Sequence, residues 1–186
     1  MDVNTQDIER IVRAVLSSIN SASPAGATIA AQAAQQVAPG VFNELDDAVA
    51  AAMQAQKSLK TIAMRNLVIA AIRQAGEQYA RELAELAVAE TGMGRVEDKI
   101  AKNISQARHT PGTECLAPQA LTGDHGLTLI ENAPWGVIAS VTPSTNPAAT
   151  VINNAISMIA AGNAIVFAPH PAAKKVSQLT VTRINE

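Results

Sequence analysis

The chain has 186 residues, enough for one domain of ordinary size, and 48% of them are hydrophobic, enough to bury a real core. A formal net charge of -2 and an aromatic content of 2% supply neither the basic field nor the stacking surface that nucleic acid requires, so no nucleic-acid partner is expected. One cysteine cannot form an internal disulfide. With no signal peptide and no apolar run long enough to span a bilayer, a cytoplasmic protein without a membrane role is expected.

In chain order, Met1 to Asn20 reads as an amphipathic helix. Asn4 can cap it, and Ile8, Ile11, Val12, Val15, Leu16 and Ile19 recur at helical spacing. Asp7, Glu9, Arg10, Arg13, Ser17 and Ser18 occupy the opposite face. Residues 21–40 are rich in Ala, Ser, Gln, Pro and Gly and read as a flexible linker. A short helix with one apolar stripe on such a linker cannot bury that stripe alone and requires a partner groove. That groove belongs either to the rest of its own chain or a second subunit, or to a separate partner.

From Val41 helical periodicity takes over. Asn43 or Asp46 can start a helix towards Lys57, and Thr61 a second through Met64, Leu67, Val68, Ala71 and Ile72. A third is predicted over Glu77 to Glu90, with Tyr79, Leu83, Leu86 and Ala87 inward, ended by Gly92 and Gly94. A fourth begins near Val96, with Ile100 and Ile104 inward and Lys99, Lys102 and Arg108 on a solvated face. His109 to Gly126 is turn-rich and holds Cys115, and Leu127 to Ile130 is a short strand.

Pro134 to Lys175 has the pattern of a βαβ unit. Trp135 to Val141 is apolar and β-branched, Pro143 closes it, Ala148 to Ala161 has helix length, and Ala164 to Phe167 is a second apolar strand. Gly162 and Asn163 stop the helix between them, and a further helix opens at Ala172. Two strands joined by a crossover helix are expected to be parallel, with a right-handed connection. Ligands of such sheets sit at the carboxyl ends of the strands, marked here by Thr142-Pro143-Ser144-Thr145-Asn146-Pro147 and Ala168-Pro169-His170-Pro171. The fold class is therefore α/β, a helical lead-in followed by a βαβ unit.

These two blocks, with Pro134-Trp135-Gly136-Val137, Ala161-Gly162-Asn163 and Glu90-Thr91-Gly92-Met93-Gly94, resemble the aldehyde dehydrogenase superfamily. Within it they resemble the CoA-acylating branch found in bacterial microcompartments, most of all its ethanolamine-utilisation members. The resemblance covers essentially the whole chain, but the family is much longer, so residues 41–186 are expected to be the N-terminal part of an NAD-binding aldehyde dehydrogenase domain, inactive on its own.

The resemblance implies oxidation of acetaldehyde, or alternatively propionaldehyde, to acyl-CoA, with NAD and coenzyme A as cofactor and co-substrate. It also implies a homo-oligomer, and use of residues 1–20 to reach shell or cargo proteins of a microcompartment. In that chemistry a thiolate attacks the aldehyde, hydride leaves to NAD, and CoA takes the acyl group from the resulting thioester.

The developing oxyanion needs a donor held in place beforehand. In the wider superfamily an asparagine in a Pro-Trp-Asn-Phe-Pro context supplies it. Here the aligned position is Thr145 and the asparagine is Asn146; Asn146 is the candidate donor, Thr145 its alternative, and plain turn chemistry before Pro147 the competing role.

Thr142, Pro143, Ser144, Ala168, Pro169, His170 and Lys174 are the candidate cofactor-binding residues, with Lys175 able to face phosphates beside Lys174. The alternative for both lysines is a solvated helix face. Where the wider family has a Lys-Pro-Ser-Glu run, this chain has Ala168-Pro169-His170-Pro171, which fits a pocket admitting both NAD and CoA. No metal site is expected. The resemblance places the nucleophilic cysteine downstream of the Ala168-Pro169-His170-Pro171 block, so Cys115 is not that residue. The competing readings are a short non-catalytic cargo adaptor and a simple nucleotide-binding module.

Overall fold

The computed structural model describes residues 36–186. The helix expected over residues 1–20, and most of the expected linker, lie outside the described residues. The end of that linker is ordered differently from expectation: β1 (Gln36–Ala38) and β2 (Val41–Phe42) form a small antiparallel pair. Gly40 turns between them at φ 71°, a conformation that favours glycine.

Four helices follow: α1 (Leu45–Gln56), α2 (Ile62–Gln78), α3 (Ala80–Thr91) and α4 (Val96–His109). Thr61 starts α2 as its side chain predicts, its hydroxyl accepting from Met64 N–H at 3.2 Å. The third predicted helix begins later than expected, because α2 continues past Glu77 and the chain breaks at Tyr79. Gly92 ends α3 in the left-handed conformation at φ 67°.

The face of α4 differs from its pattern. Lys99, Asn103 and Ala107 form the buried stripe, at i, i+4 and i+8, while Ile100 and Ile104 are only half-buried. Polar atoms can occupy that stripe because each has a partner: Asn103 Nδ2 donates to the Ala80 carbonyl at 3.1 Å, and Lys99 finds the carbonyl of Thr145.

The turn-rich segment after α4 includes a short 3-10 turn (Thr113–Cys115) and β3 (Gln119–Gly123), which pairs antiparallel with β4 (Gly126–Ile130) from Gln119↔Ile130 to Gly123↔Gly126. Gln-Ala-Leu-Thr-Gly carries no apolar run of its own; pairing with β4 makes it a strand.

The βαβ unit consists of β5 (Val137–Thr142), α5 (Pro147–Ala160) and β6 (Ala164–Pro169), with β5 and β6 parallel in register from Val137↔Ala164 to Thr142↔Pro169. Trp135 is not in the first strand. Gly136 turns the chain at φ 113°, leaving Trp135 92% exposed, and Asn163 Oδ1 accepts from both Trp135 N–H at 2.6 Å and Gly136 N–H at 3.0 Å. A 3-10 turn (Pro171–Ala173) then leads into α6 (Lys174–Asn185).

Helix α5 is the hub. Ile152, Ala155, Ile156 and Ala160 pack with Ile69 and Ile72 of α2 and Ala107 of α4, while Ala148 joins a second cluster with Leu83 and Ala87 of α3, Ala173, and Val176 of α6. Full burial of a residue such as Ile152 or Ile156 contributes about 1.5–3 kcal/mol each. Alanine at the remaining contacts lets the helices approach closely, and the packing fixes the N-terminus of α5, and with it Asn146, against α3 and α4.

Candidate functional site

The parallel register places the two candidate loops side by side. Thr142 is level with Pro169 and Val141 with Ala168, and His170 N–H donates to the Thr142 carbonyl at 3.0 Å. Thr142, Pro143, Ser144, Thr145 and Asn146 thus line one strand end, and Ala168, Pro169 and His170 the next. Thr142 is 1% exposed, and its Oγ1 is buried without a hydrogen-bond partner among the described residues. His170 is exposed; its Nδ1 accepts from Ala172 N–H at 3.1 Å, which caps the 3-10 turn and leaves Nε2 directed elsewhere. Lys174 and Lys175 are exposed at the start of α6.

Asn146 precedes Pro147 at the start of α5, but its side chain makes no capping bond to the helix. Lys102 Nζ donates instead to Asn146 Oδ1 at 3.0 Å, and Lys99 Nζ donates to the Thr145 carbonyl at 2.7 Å. Both lysines come from α4, and Lys99 is 7% exposed. Burial, reinforced by the charge of Lys102, pushes the Lys99 amine below the usual lysine range. Beside Asn146 an open cleft of about 360 Å³ is lined by Lys102, Gln106, Asn146, Ala149, Thr150 and Asn153. The carboxamide of Asn153 donates to Gln106 Oε1 at 2.8 Å and to Thr110 Oγ1 at 3.0 Å, which orders its wall.

Periodicity placed both lysines on a solvated face; nothing in the spacing of α4 distinguishes a lysine that reaches a loop 46 residues away from one that faces water. Glu90 was likewise legible only as part of a motif, and its side chain in fact closes the first turn of α6. Cys115 is exposed on its 3-10 turn with Sγ donating to the Gly112 carbonyl at 3.2 Å, and Gly112 in turn donates to Glu114. Among the described residues no three His, Cys, Asp or Glu side chains are grouped to hold a metal ion, and no helix is long and apolar enough to cross a membrane.

A parallel strand pair joined by a crossover helix, with helices packed around it, defines an α/β protein. Residues 12–186 match the aldehyde dehydrogenase family, and the chain belongs to that family. It is 67% identical, over 99% of its length, to the acetaldehyde dehydrogenase (acetylating) EutE of Salmonella typhimurium, and spans 38% of that relative.

Among solved structures, a propionaldehyde dehydrogenase from the Clostridium phytofermentans fucose utilisation bacterial microcompartment matches with a TM-score of 0.76 and 48% identity, over 78% of this chain and 34% of that one. A Rhodopseudomonas palustris propionaldehyde dehydrogenase, solved with bound CoA and an acylated cysteine, matches with a TM-score of 0.76 and 43% identity, over 80% of this chain and 35% of that one.

Proposed function

We propose that the chain is part of a longer NAD-dependent, CoA-acylating aldehyde dehydrogenase that converts acetaldehyde, CoA and NAD to acetyl-CoA and NADH in ethanolamine utilisation. The observation that carries the reading is the pairing of the Thr142–Asn146 loop with the Ala168–His170 strand end, in a chain 67% identical to an acetylating acetaldehyde dehydrogenase. The strand ends fit a nicotinamide dinucleotide because ligands of a parallel sheet lie at the carboxyl ends of its strands, and Thr142 Oγ1, buried with no partner among the described residues, adjoins that end. Thr142, Pro143 and Ser144 line one side of that site, Ala168, Pro169 and His170 the other, and Lys174 lies near the phosphates.

When bound, the cofactor supplies the hydride acceptor. The residues of this chain bind, orient and stabilise. Asn146 donates from Nδ2 to the carbonyl oxygen as negative charge develops there, and the tight loop ahead of Pro147 holds the donor in place before reaction. Thr145 is the alternative donor, although Lys99 already holds its carbonyl. The acyl-carrying thiol is a residue of the longer protein rather than Cys115, which lies on a separate turn bonded to Gly112.

The longer protein is further proposed to be a homo-oligomer in the cytoplasm, within a bacterial microcompartment reached through residues 1–20. The microcompartment origin of a 48% identical relative supports the compartment part of this reading. In the full-length enzyme, N146A is expected to lower kcat for CoA-dependent NADH formation by about 10²–10³-fold, with acetaldehyde preferred over propionaldehyde in kcat/KM. Wild-type turnover by N146A would remove Asn146 from the reaction. Deleting residues 1–20 is expected to abolish cargo loading while leaving turnover intact.

A further inference from the structure

An asparagine that is to donate to an oxyanion must present its amide nitrogen, not its oxygen, to the reacting carbon. The two ends of a carboxamide are nearly isosteric, so something has to choose between them. In this chain an ammonium does so. Lys102 Nζ, which can only donate, lies 3.0 Å from the side-chain oxygen of Asn146. With Oδ1 engaged, Nδ2 turns away with both hydrogens, and it has no hydrogen-bond partner among the described residues.

Lys102 is available for this because Asp98, one turn back on α4, is held by Arg95 through contacts of 2.7 and 3.1 Å. Lys99, one turn before Lys102, donates to the carbonyl of Thr145 at 2.7 Å and so fixes the backbone immediately ahead of Asn146. Two lysines on adjacent turns of one helix therefore grip two consecutive residues of the loop, one by its main chain and one by its side chain.

We propose that Lys102 is a positioning residue that sets the amide orientation of Asn146 and, by polarising Oδ1, strengthens Nδ2 as a donor, while Lys99 holds the loop in register. The role rests on Asn146 being the oxyanion donor. A hydrogen bond accepted from a charged group is stronger than a neutral one, and a polarised amide donates better from its other end.

The test is a double-mutant cycle in the full-length enzyme with N146A, K102M, K102R and the pair K102M/N146A. K102M is expected to lower kcat about tenfold with little change in KM for NAD, K102R to recover most of the loss, and K102M to have no further effect in the N146A background. The exposed position of Lys102 leaves folding intact, checked by an unchanged Tm. If N146A is impaired but K102M turns over like wild type, the positioning role is overturned and the donor assignment survives. If the two losses simply multiply, or K102R is as poor as K102M, Lys102 does not act through Asn146 and the proposal falls. If N146A itself is fully active, the donor assignment fails and this inference with it.

Discussion

Glu90 and Val176 are 86 residues apart, yet Oε2 of the first accepts the backbone N–H of the second at 2.8 Å, while Oε1 accepts from Lys175 N–H, also at 2.8 Å. The carboxylate that ends α3 thereby satisfies two of the four N–H groups that open α6 and places a negative charge at the positive end of its dipole. Neither amide is free for a phosphate while Glu90 holds both, so the proposed cofactor surface is confined to the strand ends and the loop before Pro171.

E90A is therefore expected to cost about 1–2 kcal/mol, read as a fall in Tm of a few degrees, and E90Q about half as much, since one amide oxygen can still accept. An E90A protein that melts with the wild type would show that α6 is held by Val176 packing alone.

A buried hydroxyl without a partner lowers stability by about 1–3 kcal/mol relative to an apolar group of the same shape. Among the described residues Thr142 Oγ1 is such an atom, at the carboxyl end of β5. T142V is expected to leave urea stability unchanged or to raise it, while raising KM for NAD in the full-length enzyme. The reverse pattern, lost stability with KM unchanged, would mean that the hydroxyl serves the fold and not the cofactor.

His170 has one observed duty, capping, and one proposed, contact with the cofactor. Nδ1 caps the Pro171–Ala173 turn by accepting from Ala172 N–H, so a neutral ring carries its proton on Nε2. Asparagine is a good capping acceptor but lacks anything at the Nε2 position. H170N is expected to keep the wild-type Tm and to raise KM for NAD by roughly 3–10-fold, the worth of one hydrogen bond. Initial-rate kinetics over a range of NAD concentrations decide it.

The βαβ unit was legible because three signals agreed there: two apolar strands, a helix of suitable length, and Gly162 with Asn163 at its end. Gly162 adopts φ 83° as a helix stop requires. The start of the first strand was less legible, since Trp135 is apolar enough to join a strand, and only the bonds from Asn163 and the turn at Gly136 show where pairing begins. The orientation of α4 was misread for a physical reason: an ammonium that finds a carbonyl can replace an isoleucine on a buried stripe, and sequence periodicity does not reveal a partner 46 residues away. The site divided the same way. Loop residues were visible as strand-end punctuation, whereas Lys99 and Lys102, which bond Thr145 and Asn146, resembled ordinary surface charge.

Lys99 links this packing to pH. Its amine is buried and lies near Lys102, and both effects push its pKa below the ordinary 10.5, burial being the larger. In the unfolded chain the same group titrates with the other lysines. Between the lowered folded value and about 10.5 the unfolded state therefore binds the more protons, and stability rises with pH across that window. The contribution is fully present above the window and is lost as pH falls through the folded value, where the native state must carry a buried charge. K99M removes the proton linkage along with the bond to Thr145. The stability of wild type relative to K99M is accordingly expected to climb as pH is raised through the alkaline range, measured by urea unfolding at a series of pH values. A difference that stays flat, or falls, would mean that water reaches the ammonium in solution and that the Thr145 carbonyl is not held by a desolvated lysine.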